Sequence, residues 1–210
     1  MSNHRSLLAA GLFLCLGLPA AAQTVGVMQS AETMDTGTYK LALAPLMTFG
    51  EDGADDEFGV AGRAGYGFTE SFDAEIKLGL FENSTYAGLD GELWLLHGKD
   101  NGAGLDASLT GGLHWNFGSD GYHDSMGFDI APMISGNVSE NLELCGALDA
   151  SFESVDDVPA GMDDSYTRLH LVPGFEYRLS DVADLVGEVG VGLNDDSHTY
   201  AGIGFSFYLK

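Results

Sequence analysis

Near the end of this 210-residue chain stands Asp196-Ser-His198, a spacing at which a carboxylate can orient an imidazole to act as a general base on water. Asp156-Asp157, or Asp120, could face it as the acidic pair that holds that water. The motif is weak alone, and a histidine in an acidic loop is ordinarily just solvated, so no catalytic residue is assigned. A second chemistry is oxygen ligation of hard cations. Glu51-Asp-Gly-Ala-Asp-Asp-Glu57 gathers the carboxylates that Ca²⁺ and Mg²⁺ prefer, but without the ligand spacing of an EF-hand loop. No dedicated metal site and no cofactor are expected. The third chemistry is ion pairing, among Lys40, Arg63, Lys77, Arg168 and Arg178 and the acids Glu75, Asp90, Glu92, Glu176 and Glu188.

What must position these residues is a set of short alternating segments. In Phe72-Asp-Ala-Glu-Ile-Lys-Leu-Gly-Leu-Phe81 the residues Phe72, Ala74, Ile76, Leu78 and Leu80 share one face, while Asp73, Glu75 and Lys77 share the other. Successive side chains of a strand point to opposite faces, so this reads as a strand with one apolar and one polar side. Similar segments run over 38–49, 58–69, 72–81, 86–96, 104–117, 126–138, 141–153, 166–179, 184–193 and 199–209. In that register the five basic residues named above and all five acids share the polar side. His114 and His170 join them as hydrogen-bonding groups. An even set of such strands, apolar side outward, is the pattern of a closed antiparallel transmembrane β-barrel. Ten strands are expected, with eight and twelve as the alternatives.

The first residues resemble a secretory leader over 1–22: Arg5 opens it, Leu7 to Leu18 is apolar, and Ala20-Ala-Ala22 is a small-residue cleavage site. Cys15 follows the bulky Leu14, which argues against lipidation there. Cys145 is then the one mature thiol, so no internal disulfide staple is available. Acidic residues number 32 against 8 basic, and the net charge is −24. Such a chain repels nucleic acid, and cations are its natural partners. The polar stretch 23–36 reads as a short periplasmic segment, and 37–210 as one barrel domain.

Connections alternate in kind. Glu70-Ser71, Ser139-Glu140 and Ser180-Asp-Val-Ala183 are tight, whereas 50–57, 118–125, 154–165 and 194–198 are longer, acidic and free of Lys and Arg. Outer-membrane barrels have short periplasmic turns and longer extracellular loops, so the acidic set belongs outside. His97-Gly-Lys-Asp-Asn-Gly-Ala103 is long for the inner side. A soluble lipocalin-type barrel alternates too, with apolar residues lining its cavity. Here the bulky Leu, Ile, Phe and Tyr side chains crowd one face while Gly, Ala and charges take the other, which favours the membrane form.

The last strand, Tyr200-Ala-Gly-Ile-Gly-Phe-Ser-Phe-Tyr-Leu-Lys210, resembles the C-terminal assembly signal of small Gram-negative outer-membrane β-barrel proteins of the porin-like class. It differs in ending on Lys210 where an aromatic residue is usual. The resemblance covers 37–210 and implies residence in the outer membrane of a Gram-negative bacterium. It also implies contact with membrane lipid and lipopolysaccharide, and handling by the barrel assembly machinery. The acidic loops would be solvated or share divalent cations with lipopolysaccharide. Asp196-Ser-His198 resembles the Asp-x-His pair of the omptin proteases, themselves ten-stranded barrels, but this chain is shorter and its loops are small. A lipid-A deacylase pattern is not convincing around His114 or His170.

A narrow ten-stranded lumen has room for side chains and some water. The charged residues are therefore expected to plug it with ion pairs, giving a structural or surface-interaction role. The alternative is a narrow cation-preferring pore, since acids outnumber bases along its wall. Tyr39, Phe58, Phe68, Phe72, Trp115, Phe117, Phe175, Tyr177 and Phe207 fall near strand ends or on outward positions, as aromatic girdles do.

Overall fold

A computed structural model describes residues 26, 28–50, 56–119, 123–156, 158 and 163–210. The leader at 1–22, the positions from Glu51 to Asp55, Asp120 and Asp157 lie outside the described residues. Ten strands follow one another: β1 (Tyr39–Thr48), β2 (Glu57–Thr69), β3 (Phe72–Phe81), β4 (Ser84–Leu96), β5 (Leu105–Gly118), β6 (Ser125–Asn137), β7 (Leu142–Val155), β8 (Ser165–Ser180), β9 (Ala183–Gly192) and β10 (Tyr200–Leu209). Each pairs antiparallel with its sequence neighbours, and β1 pairs with β10 to close the barrel. Closure removes both sheet edges, so every strand has a partner on each side.

The parity that carries the bulky apolar residues faces out. Leu78, Ile130 and Val189 are 56%, 42% and 41% exposed on the exterior, while Arg63 and Glu75 are each only 4% exposed inside. Eight of the nine aromatics named above are exposed on the outside, and Phe175 is half-buried. An exterior so densely apolar has no favourable contact with water and suits hydrocarbon.

Three prolines mark local weak points. The β1–β10 ladder skips from Leu43 to Leu46 at Pro45, the β6–β7 ladder from Ile130 to Met133 at Pro132, and the β8–β9 ladder from Leu171 to Gly174 at Pro173. Each proline keeps its register with the opposite neighbour, so the missing N–H is turned toward the interrupted side.

The long connection after β4 holds a short helix, α1 (Gly98–Asn101), which the sequence reading had no period to reveal. Gly102 closes it at φ +67°, a left-handed position that favours glycine. Asn101 Nδ2 donates to the carbonyls of His97 and Leu105 at 3.0 and 2.6 Å, and Ala103 N donates to Asn101 Oδ1 at 2.9 Å. Local hydrogen bonds thus make a compact unit of a segment too long for a simple turn.

Candidate functional site

The bore is occupied by the chain's own N-terminal segment. The sequence suggests a short periplasmic tail over 23–36. In the structure Gly26 and Met28 to Met34 lie inside the barrel instead, and Asp35 to Gly37 sit at the rim that carries the short turns. Met28, Gln29, Ser30, Ala31, Thr33 and Met34 are all buried. Inside the bore the segment buries Met28 and Ala31 among apolar wall residues, and the wall supplies the partners that its backbone N–H groups would otherwise take from water. Met28 N donates to Glu188 at 2.5 Å, Ala31 N to Ser135 Oγ at 3.1 Å and Met34 N to Asp73 Oδ2 at 2.8 Å. Thr33 Oγ1 donates to the carbonyl of Glu70 at 2.9 Å. At the rim, Lys210 pairs with Asp35 at 2.8 Å, fully in the open, where such a pair contributes little.

Apolar contacts seat the segment as well. Met28 packs with Ala44, Leu46, Ala61, Tyr86 and Tyr200, and Ala31 with Ala131, Met133, Ala147 and Val172. Gly67 makes room at the entrance. A Cβ there would run into the carbonyl oxygens of Asp35 and Met34, the latter at 2.7 Å. Gly67 also donates from its own N–H to Thr38 O at 3.0 Å and accepts from Gly37 N at 2.9 Å.

Gln29 is the residue that joins segment to wall. Its Nε2 donates to Glu92 Oε2 at 2.9 Å, and its Oε1 accepts from Arg63 Nη2 at 2.7 Å. The ion pairs lie around it. Glu75 accepts from Lys40 at 2.8 Å and from Arg63 at 2.6 Å, and Lys77 pairs with Asp90. Glu92 also accepts from Ser108 Oγ at 2.5 Å. Glu188 serves the segment, as above. Arg168 is buried higher up, donating to Tyr166 OH at 3.2 Å with its guanidinium over that ring. Glu176 is half-buried and accepts from Tyr208 OH at 3.2 Å, while Arg178 is exposed at the mouth. Those two belong to the rim, apart from the buried network.

Two further arrangements emerge only from the fold. His114 is flanked by Asp129 at 3.0 Å and Glu153 at 2.7 Å and stacks on Tyr86, with ring centroids 5.5 Å apart. The sequence marks His114 as a hydrogen-bonding lumen residue, but its partners come from β6 and β7 and only the barrel register reveals them. At the short-turn end, Glu32, Asp106 and Glu143 each bring a carboxylate oxygen within 4.8 Å of the other two. Glu32 and Glu143 border a vestibule of about 310 Å³ that also takes in Asp35, Asp73, Glu176 and Asp184. Partial desolvation at the open vestibule, and then the Asp106 and Glu176 carboxylates, push the Glu32 pKa above the ordinary carboxylate value.

The Asp196-Ser-His198 loop is built into the barrel rim. Leu169 N donates to Ser197 Oγ at 2.6 Å, and Asn194 both bonds Ser197 and donates to Thr167 O at 2.6 Å. His170 Nε2 donates to the His198 carbonyl at 3.0 Å. Asp156 and Asp196 are exposed. The middle residue of the motif thus anchors the last loop onto β8.

A ten-stranded meander with an apolar exterior and a charged, occupied bore can be compared with known structures. An outer membrane channel from Pseudomonas putida F1 superposes with a TM-score of 0.56 at 10% identity, covering 90% of this chain and 100% of that one. The fold is that of the outer-membrane β-barrels. At that identity the likeness speaks to fold alone. Looser likenesses are the KdgM porin (TM-score 0.46, 10% identity, 81% of this chain and 99% of that one) and the N-terminal β-barrel domain of OprF from Pseudomonas aeruginosa (0.40, 14%, 84% and 100%). No family model and no curated protein matches the sequence.

Proposed function

We propose that the protein is an outer-membrane barrel of a Gram-negative bacterium, sealed at rest by its own N-terminal segment, with a structural or surface-interaction role. The observation that carries this is the Gln29 amide bridging Arg63 and Glu92 inside the bore, on a segment whose neighbours are buried. An amide that satisfies a guanidinium and a carboxylate together favours a seated segment over a mobile tail. The long acidic loops then face outward and meet lipopolysaccharide and its divalent cations. The wild-type barrel, reconstituted in planar bilayers, is expected to show no conductance steps. Frequent steps at rest would favour the second reading, a narrow cation-preferring pore. That reading draws on the acidic vestibule, where Glu32, Asp35, Asp73, Glu143, Glu176 and Asp184 outnumber Lys40, Arg178 and Lys210.

Two results are expected of the barrel itself. Refolded protein should migrate differently on a detergent gel before and after boiling, because a closed ladder with no free edge resists detergent until heated. A single unshifted band would contradict the closed fold. Ile76 stands mid-strand on the exterior and is 55% exposed. Ile76→Arg should destabilise the barrel by roughly 2–4 kcal/mol, the penalty for arginine at the bilayer midplane. Denaturant titration of the protein refolded into lipid vesicles measures it. An unchanged midpoint would mean that this face does not meet hydrocarbon.

A further inference from the structure

We infer that Glu32, Asp106 and Glu143 form a binding site for one divalent cation, Ca²⁺ or Mg²⁺, that fastens the N-terminal segment to the barrel wall. The three carboxylates come from three parts of the chain: Glu32 from the segment, Asp106 from the start of β5 and Glu143 from the start of β7. Three carboxylate oxygens mutually within 4.8 Å repel one another when ionised, and a bound cation or a shared proton relieves that repulsion. All are hard oxygen donors, the type that these two ions take, and water would complete the coordination shell.

A second observation points the same way. Glu143 is only 9% exposed, and its Oε1 is buried without a hydrogen-bond partner. Ser135 accepts from Ala31 N and turns its hydroxyl to the Glu143 carboxylate, so the serine is committed and Oε1 still lacks a partner. A buried carboxylate oxygen left so is costly unless something binds it. Asp106 is already positioned: its Oδ1 accepts from Trp94 Nε1 at 3.1 Å and Gly98 N at 2.6 Å, which leaves the second oxygen for a ligand. Such outer hydrogen bonds are what orient ligating carboxylates. Because Glu32 rides on the segment, the ion would link the seal to β5 and β7. The inference rests on the segment being seated in the bore.

Trp94 supplies the test, because its indole touches a proposed ligand and can sensitise a bound lanthanide. Full-length protein, refolded in detergent and stripped with chelator, is titrated with Tb³⁺ under tryptophan excitation, then with Ca²⁺ as competitor. Saturable emission that Ca²⁺ displaces is expected. Trp94→Phe should remove the emission while calorimetry with Ca²⁺ alone still shows binding. Glu143→Gln and Glu32→Gln should each weaken Ca²⁺ binding by about tenfold or more, as loss of a ligand or its support does. Glu32 is exposed, so its variant tests the site without endangering the fold. Emission that survives Trp94→Phe, or affinity unchanged in both glutamine variants, would place the ion on the acidic loops and overturn the site. The seal is judged separately, by conductance. A silent wild type that opens when the segment is removed, yet binds no ion here, refutes the cation alone.

Discussion

Removing residues 28–34 should turn a silent barrel into a conducting one. These residues fill the bore from the short-turn rim up to the Leu46, Tyr86 and Tyr200 band, which Met28 touches. Without them Asp73, Glu92 and Glu188 lose their segment partners, and each of these buried acids then needs water. The bore hydrates because its charges require it. Point variants grade the effect. Gln29→Ala deletes hydrogen bonds to Arg63 and to Glu92, and bonds to charged groups contribute about 1.5–3 kcal/mol each. Losing even one such bond shifts the seated-to-released equilibrium by about ten- to a hundredfold, at 1.4 kcal/mol per decade. Gly67→Ala acts from the wall, since its new methyl group meets backbone carbonyls that cannot swing aside. Single-channel recording in planar bilayers reads all three. If the deletion is as silent as the wild type, the segment does not seal the bore.

The barrel was legible because its signal is local. A strand carries its face assignment in every second residue, so Asp73, Glu75 and Lys77 sufficed to turn β3, and the strand limits came within two residues of those observed. The seal was not legible, because 23–36 has no period and its partners are scattered from Arg63 to Glu188. One clue was present. Leu46, Met133 and Val172 stand on the inward parity, where a purely ionic lumen has no use for them, and they are buried against Met28 and Ala31. Inward apolar residues in a charged bore mark something apolar seated there. Partner choice within the network was equally out of reach, because parity assigns a face while only register assigns neighbours. His114 with Asp129 and Glu153 shows the difference, and so does Trp94 with Asp106.

Register also singles out the most costly substitution. Arg63 stands directly opposite Lys77, and Glu75 directly opposite Asp90, so the wall sets like charges face to face in two rows. Such pairs destabilise a sheet on their own. The arrangement holds because neutralisation runs diagonally, Glu75 to Arg63 and Asp90 to Lys77, with Glu75 also taking Lys40 from β1. Glu75→Ala therefore removes the carboxylate that Lys40 and Arg63 share, and both buried cations lose that ion pair. Breaking a buried pair by removing one partner costs about 3–5 kcal/mol, and here one carboxylate serves two partners. The expected result is a drop of that size in unfolding free energy, read by urea titration of the barrel in lipid vesicles. Glu75→Ala combined with Lys40→Met should recover part of the loss, because it also withdraws the buried ammonium that Glu75 neutralised. A double variant as unstable as the single one would mean that Lys40 is neutralised elsewhere, and that the network is less dependent on Glu75 than its geometry requires.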